Sequence, residues 1–144
     1  MRNIQKTKKS GFTLLEVIIV IVILAILASI AVPRYTRSLE KSRAAEGTYF
    51  LGTLLSSMER YFLEKGNFPA GQIFNAGTGL DIDVPTLKYF DSGTIELHQL
   101  SCTLGTSCAR IMRSSSPPYK LFIARDGTIT CTPTGSQECS DAGY

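Results

Sequence analysis

The chain has 144 residues, with 15 Lys/Arg, 12 Asp/Glu and one His, for a formal net charge of +3; this length suits one domain with an appended segment. Arg2, Lys6, Lys8 and Lys9 fall within the first eleven residues without an acid, and the remainder carries eleven bases against twelve acids, a net of −1. That balance excludes a general basic surface for nucleic acid, so no specific nucleic-acid partner is inferred.

The basic leader, residues 1–11, gives way at once to an apolar run. From Phe12 to Val32 there are 21 residues, and Glu16 is the only ionisable one. As a helix this run spans roughly 31 Å, enough for a bilayer core. It differs from a secretory signal, because no small-residue cleavage site follows Val32; Pro33, Arg34 and Tyr35 follow instead. The run is therefore expected to stay in the working protein. Four bases precede it. After it Arg34, Arg37, Lys41 and Arg43 are diluted by Glu40 and Glu46, which favours a cytoplasmic N-terminus and a body outside the inner membrane. A carboxylate at bilayer depth is costly and by default marks a functional position.

The helical pattern continues past the membrane edge. Ala44, Thr48, Leu51, Leu54, Leu55, Met58, Tyr61 and Phe62 recur at three- and four-residue steps. Arg43, Glu46, Ser57, Glu59 and Arg60 fall largely on other faces. Lys65-Gly66-Asn67, followed by Pro69, is the first strong stop, so one helix is expected from about Phe12 to Glu64. Such a helix is too long for a small body to cover, and its front half is expected to project. Pro33 removes a donor and crowds the Ser29 carbonyl, predicting a kink, and Gly47 is a second interruption.

Beyond Asn67 the chain reads as loops and short strands. Thr94–Leu100, Ala109–Arg113, Tyr119–Arg125 and Thr128–Thr132 are strand candidates, with Asp126-Gly127 as a hairpin turn between the last two. Leu121 and Ile123 alternate with Lys120 and Phe122, so one face can lie on the helix stripe. The fold class is α+β: a long N-terminal α-helix with a membrane-spanning front half, and a small antiparallel sheet of three or four strands packed on residues 44–62. Cys102, Cys108, Cys131 and Cys139 all lie in the last third. An even number on the translocated side reads as two disulfides. Three pairings are possible, and the local pairs Cys102–Cys108 and Cys131–Cys139 are preferred. The alternative, a zinc site, faces wide spacings and a single histidine, His98. The small core makes local cross-links useful, at about 2–3 kcal/mol each. The tail from Pro133 to Tyr144 would be tied back by Cys131–Cys139 and is expected to face outward.

No catalytic constellation stands out: there is no phosphate loop, H-E-x-x-H or nucleophile elbow, so no enzyme activity and no cofactor are expected. Ser114-Ser115-Ser116-Pro117-Pro118 reads as a loop. Asp81-x-Asp83 could hint at calcium, yet it lacks an EF-hand's spacing; a solvated loop is the preferred reading and no metal is expected. The thirteen aromatics, Tyr49, Phe50, Tyr61, Phe62, Tyr119 and Phe122 among them, are ascribed mostly to packing.

Gly11-Phe12-Thr13-Leu14-Leu15-Glu16, after a short basic leader and before an unbroken apolar run, resembles the type IV prepilin signature. Residues 6–33 carry the match: leader, Gly11, Phe12, Glu16 and Pro33. Tyr61-Phe62 followed by Gly66-Asn67-Phe68-Pro69 is similar to the helix end and following loop of pilins and secretion pseudopilins. The resemblance implies a pilin fold, cleavage between Gly11 and Phe12 by a prepilin peptidase, N-methylation of Phe12, and polymerisation from the inner membrane into a helical fibre. The implied organisation is a cleaved leader at 1–11, an assembly half-helix at 12–33 and a globular head at 34–144. Within the head, 34–64 is amphipathic helix, 65–132 loop and sheet, and 133–144 a disulfide-tied tail. Implied partners are further copies of the chain, the processing peptidase and methylase, the inner-membrane assembly machinery and the inner membrane itself. Implied locations are the inner membrane, then an extracellular pilus. Glu16 is assigned to assembly, meeting the new Phe12 ammonium of a neighbour; pairing within its own chain is the competing reading. Secretion pseudopilins of this family bind calcium in their C-terminal region, whereas paired cysteines there resemble pilins, which favours a pilus (adhesion, twitching motility or DNA uptake) over a periplasmic type II secretion pseudopilus. A monomeric anchored binding protein is a third reading, and it gives no reason for Glu16 or Gly11-Phe12.

Overall fold

Thr13 sets where the first helix begins. In the computed structural model, which describes residues 11–69, 73–98, 102, 106–113, 115, 118–133 and 138–144, Thr13 Oγ1 accepts the Glu16 N–H at 3.2 Å. This is N-cap geometry, satisfying a donor the helix leaves over. Helix α1 therefore spans Leu14–Lys65, two residues short of the expected start at Phe12. It ends where Gly66 takes φ 76° and donates its N–H to the Phe62 carbonyl at 2.8 Å, a glycine C-terminal stop.

The chain divides into two compact units, Met1–Thr36 and Arg37–Tyr144. In the first, α1 is apolar and exposed on every side, with large apolar residues from 43% exposed at Ile18 to 78% at Leu14. Its length and composition suffice to cross a membrane. Ser29 Oγ donates to the Ile26 carbonyl at 2.7 Å and Thr36 Oγ1 to that of Pro33 at 3.0 Å. Both hydroxyls are thus satisfied within the helix, as hydrocarbon surroundings require. Pro33 lies inside α1, which is helical on both sides of it.

In the second unit, the rest of α1 buries Ala44, Gly47, Phe50, Leu51, Leu54, Leu55 and Met58. These residues meet a four-stranded antiparallel sheet in the order β1-β2-β3-β4: Glu96–Leu97, Ser107–Arg113, Tyr119–Ala124 and Ile129–Pro133. Along β3, Tyr119, Leu121 and Ile123 are buried while Lys120, Phe122 and Ala124 are half-buried, the period-two pattern of a sheet with one covered face. In β2 the register shifts between Ser107 and Ala109. Cys108 and Ala109 are consequently both buried, and the bulge turns Cys108 inward, where it is bonded to Cys102. The Asp126-Gly127 hairpin is a turn closed by Gly127 N–H to Ala124 O at 3.0 Å, with Ala124 N–H to Thr128 O at 2.9 Å and Gly127 at φ 82°.

Four expectations need correction. The strand over Thr94–Leu100 shrinks to Glu96–Leu97, because Ser92–Thr94 forms a 3-10 turn capped by Asp91 Oδ1, which accepts the Gly93 N–H at 2.9 Å; Leu100 lies outside the described residues. The tail does not simply face outward. Helix α2, Glu138–Ala142, buries Ala142, is joined to β4 through Cys131–Cys139, and pairs Asp141 with Arg37 at 3.3 Å. Tyr49 is not a packing residue, being 81% exposed.

The fourth concerns Gly47, which does not interrupt α1. A Cβ there would lie 2.7 Å from Cζ of Phe90 and 3.0 Å from Cδ1 of Leu121, so glycine admits the Phe90 ring against the helix. Since Phe90 and Leu121 are themselves buried, Gly47→Ala is expected to destabilise the head by about 1–3 kcal/mol despite alanine's better helix propensity. Urea unfolding of the detergent-solubilised chain, followed by tyrosine circular dichroism, measures it; a rise in the midpoint would contradict the packing argument.

Candidate functional site

The motif residues gather at the start of α1. Gly11, Phe12 and Thr13 precede the helix, and among the described residues nothing approaches within 4 Å of where a Gly11 Cβ would stand. The Gly11–Phe12 peptide bond is thus open and outside regular structure, a condition for entry into a peptidase cleft. Glu16 lies in the first turn, where a negative charge suits the positive end of the helix. Its N–H is engaged by Thr13, while its carboxylate forms no ion pair among the described residues. Thr13-x-x-Glu16 has the spacing of a capping box, of which one half, the bond to Thr13 Oγ1, is made. The sequence reading passed over Thr13, although that spacing was the available signal.

The head holds a second cluster that sequence reasoning missed. Glu40 is 4% exposed and Arg113 1%. The Arg113 Nε donates to Glu40 Oε1 at 3.0 Å, the Tyr119 O–H donates to the same oxygen at 3.1 Å, and Arg43 Nη1 reaches Oε2 at 3.4 Å. Burial pushes the Tyr119 phenol well above its ordinary value, and the Glu40 carboxylate adds to that effect, so the hydroxyl stays a donor. Tyr89 lies beneath Arg43 at 5.3 Å and Arg113 at 6.0 Å. Glu46 accepts the N–H groups of Lys88 and Tyr89, each at 2.8 Å. These contacts fasten α1 to β2, β3 and the loop before β1; they are structural. Glu40 lies in phase with Ala44, Gly47, Leu51 and Leu54, the signal that could have placed it inside.

Asp81 lies exposed, as expected of a solvated loop, but its carboxylate is engaged. Arg60 Nε and Nη2 donate to its two oxygens at 2.6 and 2.9 Å, and the buried Ser57 hydroxyl donates to it as well. Ser57 therefore faces inward, contrary to its expected place. Hydrogen bonds from Arg60 and then Ser57 hold the Asp81 carboxyl at about 2, below the ordinary 3.8. With the folded value lowered, this contribution to stability is full above pH 3.8 and is lost as pH falls through about 2. Carboxyl NMR titration should find the Asp81 midpoint near 2, and Arg60→Gln should move it back toward 3.8; an unchanged midpoint would contradict the pairing. Asp83 is exposed, and no group of three metal-ligating side chains occurs among the described residues. The cysteines pair as Cys102–Cys108 and Cys131–Cys139, with S–S distances of 2.01 and 2.00 Å.

Comparison with known proteins bears on this arrangement. The prokaryotic N-terminal methylation motif matches residues 6–32, which contain the whole Gly11–Glu16 segment. The type IV major fimbrial protein FimA of Dichelobacter nodosus is 33% identical over 147 aligned positions, covering 90% of this chain and 91% of FimA. Fimbrial protein EcpC of Eikenella corrodens is 37% identical over 87 residues, 60% of this chain. The type II secretion system core protein G of Aeromonas hydrophila is 36% identical over 99 residues, 64% of this chain. The match spans 54% of EcpC and 66% of core protein G. With an exposed apolar helix opening on the methylation motif, a head in which the rest of α1 meets four antiparallel strands, and a similarity to FimA over about nine tenths of both chains, the chain belongs to the family of type IV pilins and pseudopilins.

Proposed function

We propose that this chain is a structural subunit of a type IV pilus, cleaved after Gly11, methylated on the new Phe12 amino group and polymerised through its apolar helix. The observation that carries this reading is a helix apolar on every side, uncovered in a single copy, with one acid in its first turn. In water that surface demands a cover, and a bilayer or the same helices of other copies can supply it. Cleavage would create an ammonium on Phe12, four residues before Glu16. Within one chain the two charges can meet near the helix start; between chains, Glu16 of an incoming subunit meets the Phe12 terminus of one already in place. The intersubunit pairing also fixes the stagger of adjacent helices, because the charges are matched at one offset only, and for that reason it is favoured. Inner-membrane residence before assembly and an extracellular fibre afterwards follow from this scheme, as do encounters with a prepilin peptidase and a membrane assembly machine.

A second reading, a pseudopilin of a type II secretion system, is favoured by the similarity to core protein G. Against it stand the paired cysteines of the last third, Cys102–Cys108 and Cys131–Cys139, which resemble those of pilins. Shearing surface fibres and weighing their subunits decides between the readings. A subunit beginning at methylated Phe12 in long external fibres supports the pilus. The same terminus confined to the periplasm supports the pseudopilus. An uncleaved, non-fibrous product overturns both and leaves a monomeric anchor.

A further inference from the structure

The acids that neutralise the segment after the apolar run in sequence do not neutralise it in the fold. Between Arg34 and Ala45 the charged residues are Arg34, Arg37, Glu40, Lys41 and Arg43. Glu40 is buried against Arg113 and Tyr119, whereas Arg34, Arg37 and Lys41 are exposed. Glu46, the next acid, has both carboxylate oxygens taken by the Lys88 and Tyr89 N–H groups. What this part of α1 shows to its surroundings is therefore positive. Asp141 meets it at 3.3 Å from Arg37 Nε, and a guanidinium so engaged keeps further N–H donors. The Arg37 side chain remains 70% exposed.

We infer that the basic face of α1 formed by Arg37 and Lys41 binds the phosphate headgroups of anionic phospholipid while the subunit waits in the membrane. The inference rests on the membrane reading above. Charge complementarity and position choose the partner. Arg37 and Lys41 follow Val32, the end of the apolar run, by only five and nine residues of sequence. The headgroup layer adds roughly 5–8 Å beyond the hydrocarbon, and a further Debye length of about 8 Å extends the pull of its charge. Tyr35, exposed beside them, is the residue type that interfaces favour. Lipid contact here would hold the head close to the bilayer until assembly draws the subunit out.

The test uses the full chain in neutral detergent, with Arg2, Lys6, Lys8 and Lys9 changed to Gln so that the leader contributes no charge. Phosphatidylglycerol and phosphatidylcholine are titrated in turn, and bound lipid is counted by native mass spectrometry. Phosphatidylglycerol is expected to bind at least tenfold more tightly, with the preference lost at 1 M salt. Each base near an anionic surface contributes about fivefold, so Arg37→Gln with Lys41→Gln should weaken phosphatidylglycerol binding roughly thirtyfold. Asp141→Asn, which releases Arg37, should strengthen it, a gain that no misfolded protein would show. Lys65→Gln, exposed at the far end of α1, should change nothing. Equal affinity for the two lipids overturns the inference, as does a preference indifferent to the double substitution or salt-sensitive self-association that excludes lipid. None of these readouts requires cleavage after Gly11, so the lipid result and the fibre result fail independently.

Discussion

Glu16→Ala is expected to be processed normally and yet to enter fibres about a hundredfold less than the parent chain. The proposed cleavage site, Gly11, lies with Phe12 and Thr13 outside α1, with no described residue crowding it, so the peptidase should act as before. Assembly is different. In the proposed fibre the Phe12 ammonium of one copy would be surrounded by apolar helices, and without a carboxylate it would carry the cost of an unmatched charge at bilayer depth, about 2.5–3.5 kcal/mol. The same substitution makes the free subunit more comfortable in lipid, since an isolated Glu16 there was costly. Both shifts move the equilibrium toward membrane-resident monomer. Glu16→Gln separates charge from hydrogen bonding and should fall nearer Ala than wild type. Co-expression with the parent chain gives the sharper discrimination. If pairing is intersubunit, a mutant copy can still present its terminus to a wild-type neighbour and is carried into mixed fibres at low level. If Glu16 serves only its own chain, incorporation does not depend on who the neighbour is. Normal fibre yield from Glu16→Ala alone would remove the assembly role.

What the sequence made legible was local. Gly11, Phe12 and Glu16 lie within six residues, and their order can be read without knowing the fold. The buried stripe of Ala44, Leu51, Leu54, Leu55 and Met58 repeats at helical spacing, and Gly66 marks its end. The alternation in Tyr119–Ala124 and the Asp126-Gly127 turn mark a hairpin. What escaped depends on partners far along the chain. Glu40 looked like a membrane-edge acid because Tyr119, which turns it inward, is 79 residues away. Ser57 seemed solvent-facing because Asp81 is 24 residues away. Gly47 suggested a break in the helix, since nothing near it announces the Phe90 ring that needs its missing Cβ. Strand propensity across Thr94–Leu100 yielded to a side-chain cap from Asp91, a short-range competitor that a pattern of apolar residues does not register. Period and punctuation are thus visible in one dimension, whereas pairing of charges is not.

Glu40→Ala tests whether that unseen pairing holds the head together. The substitution deletes the carboxylate balancing Arg113, whose side chain is 2% exposed, and deprives the buried Tyr119 hydroxyl of its acceptor. Breaking a buried ion pair from one side costs about 3–5 kcal/mol, because the surviving charge keeps its desolvation penalty. For a head of this size that is a large share of total stability, and urea unfolding should show a lower midpoint with an unchanged slope. Arg113→Met alone should cost less, since the remaining Glu40 retains Arg43 at 3.4 Å and the Tyr119 hydroxyl. The double variant Glu40→Leu with Arg113→Met removes both charges and should recover most of the loss, leaving chiefly the unsatisfied phenol of Tyr119, about 1–3 kcal/mol. Strict additivity of the two single losses would mean that Glu40 and Arg113 act independently, and the 3.0 Å contact between them would then be incidental to stability. Recovery in the double variant would instead identify the pair as the device that orients β2 and β3 on α1.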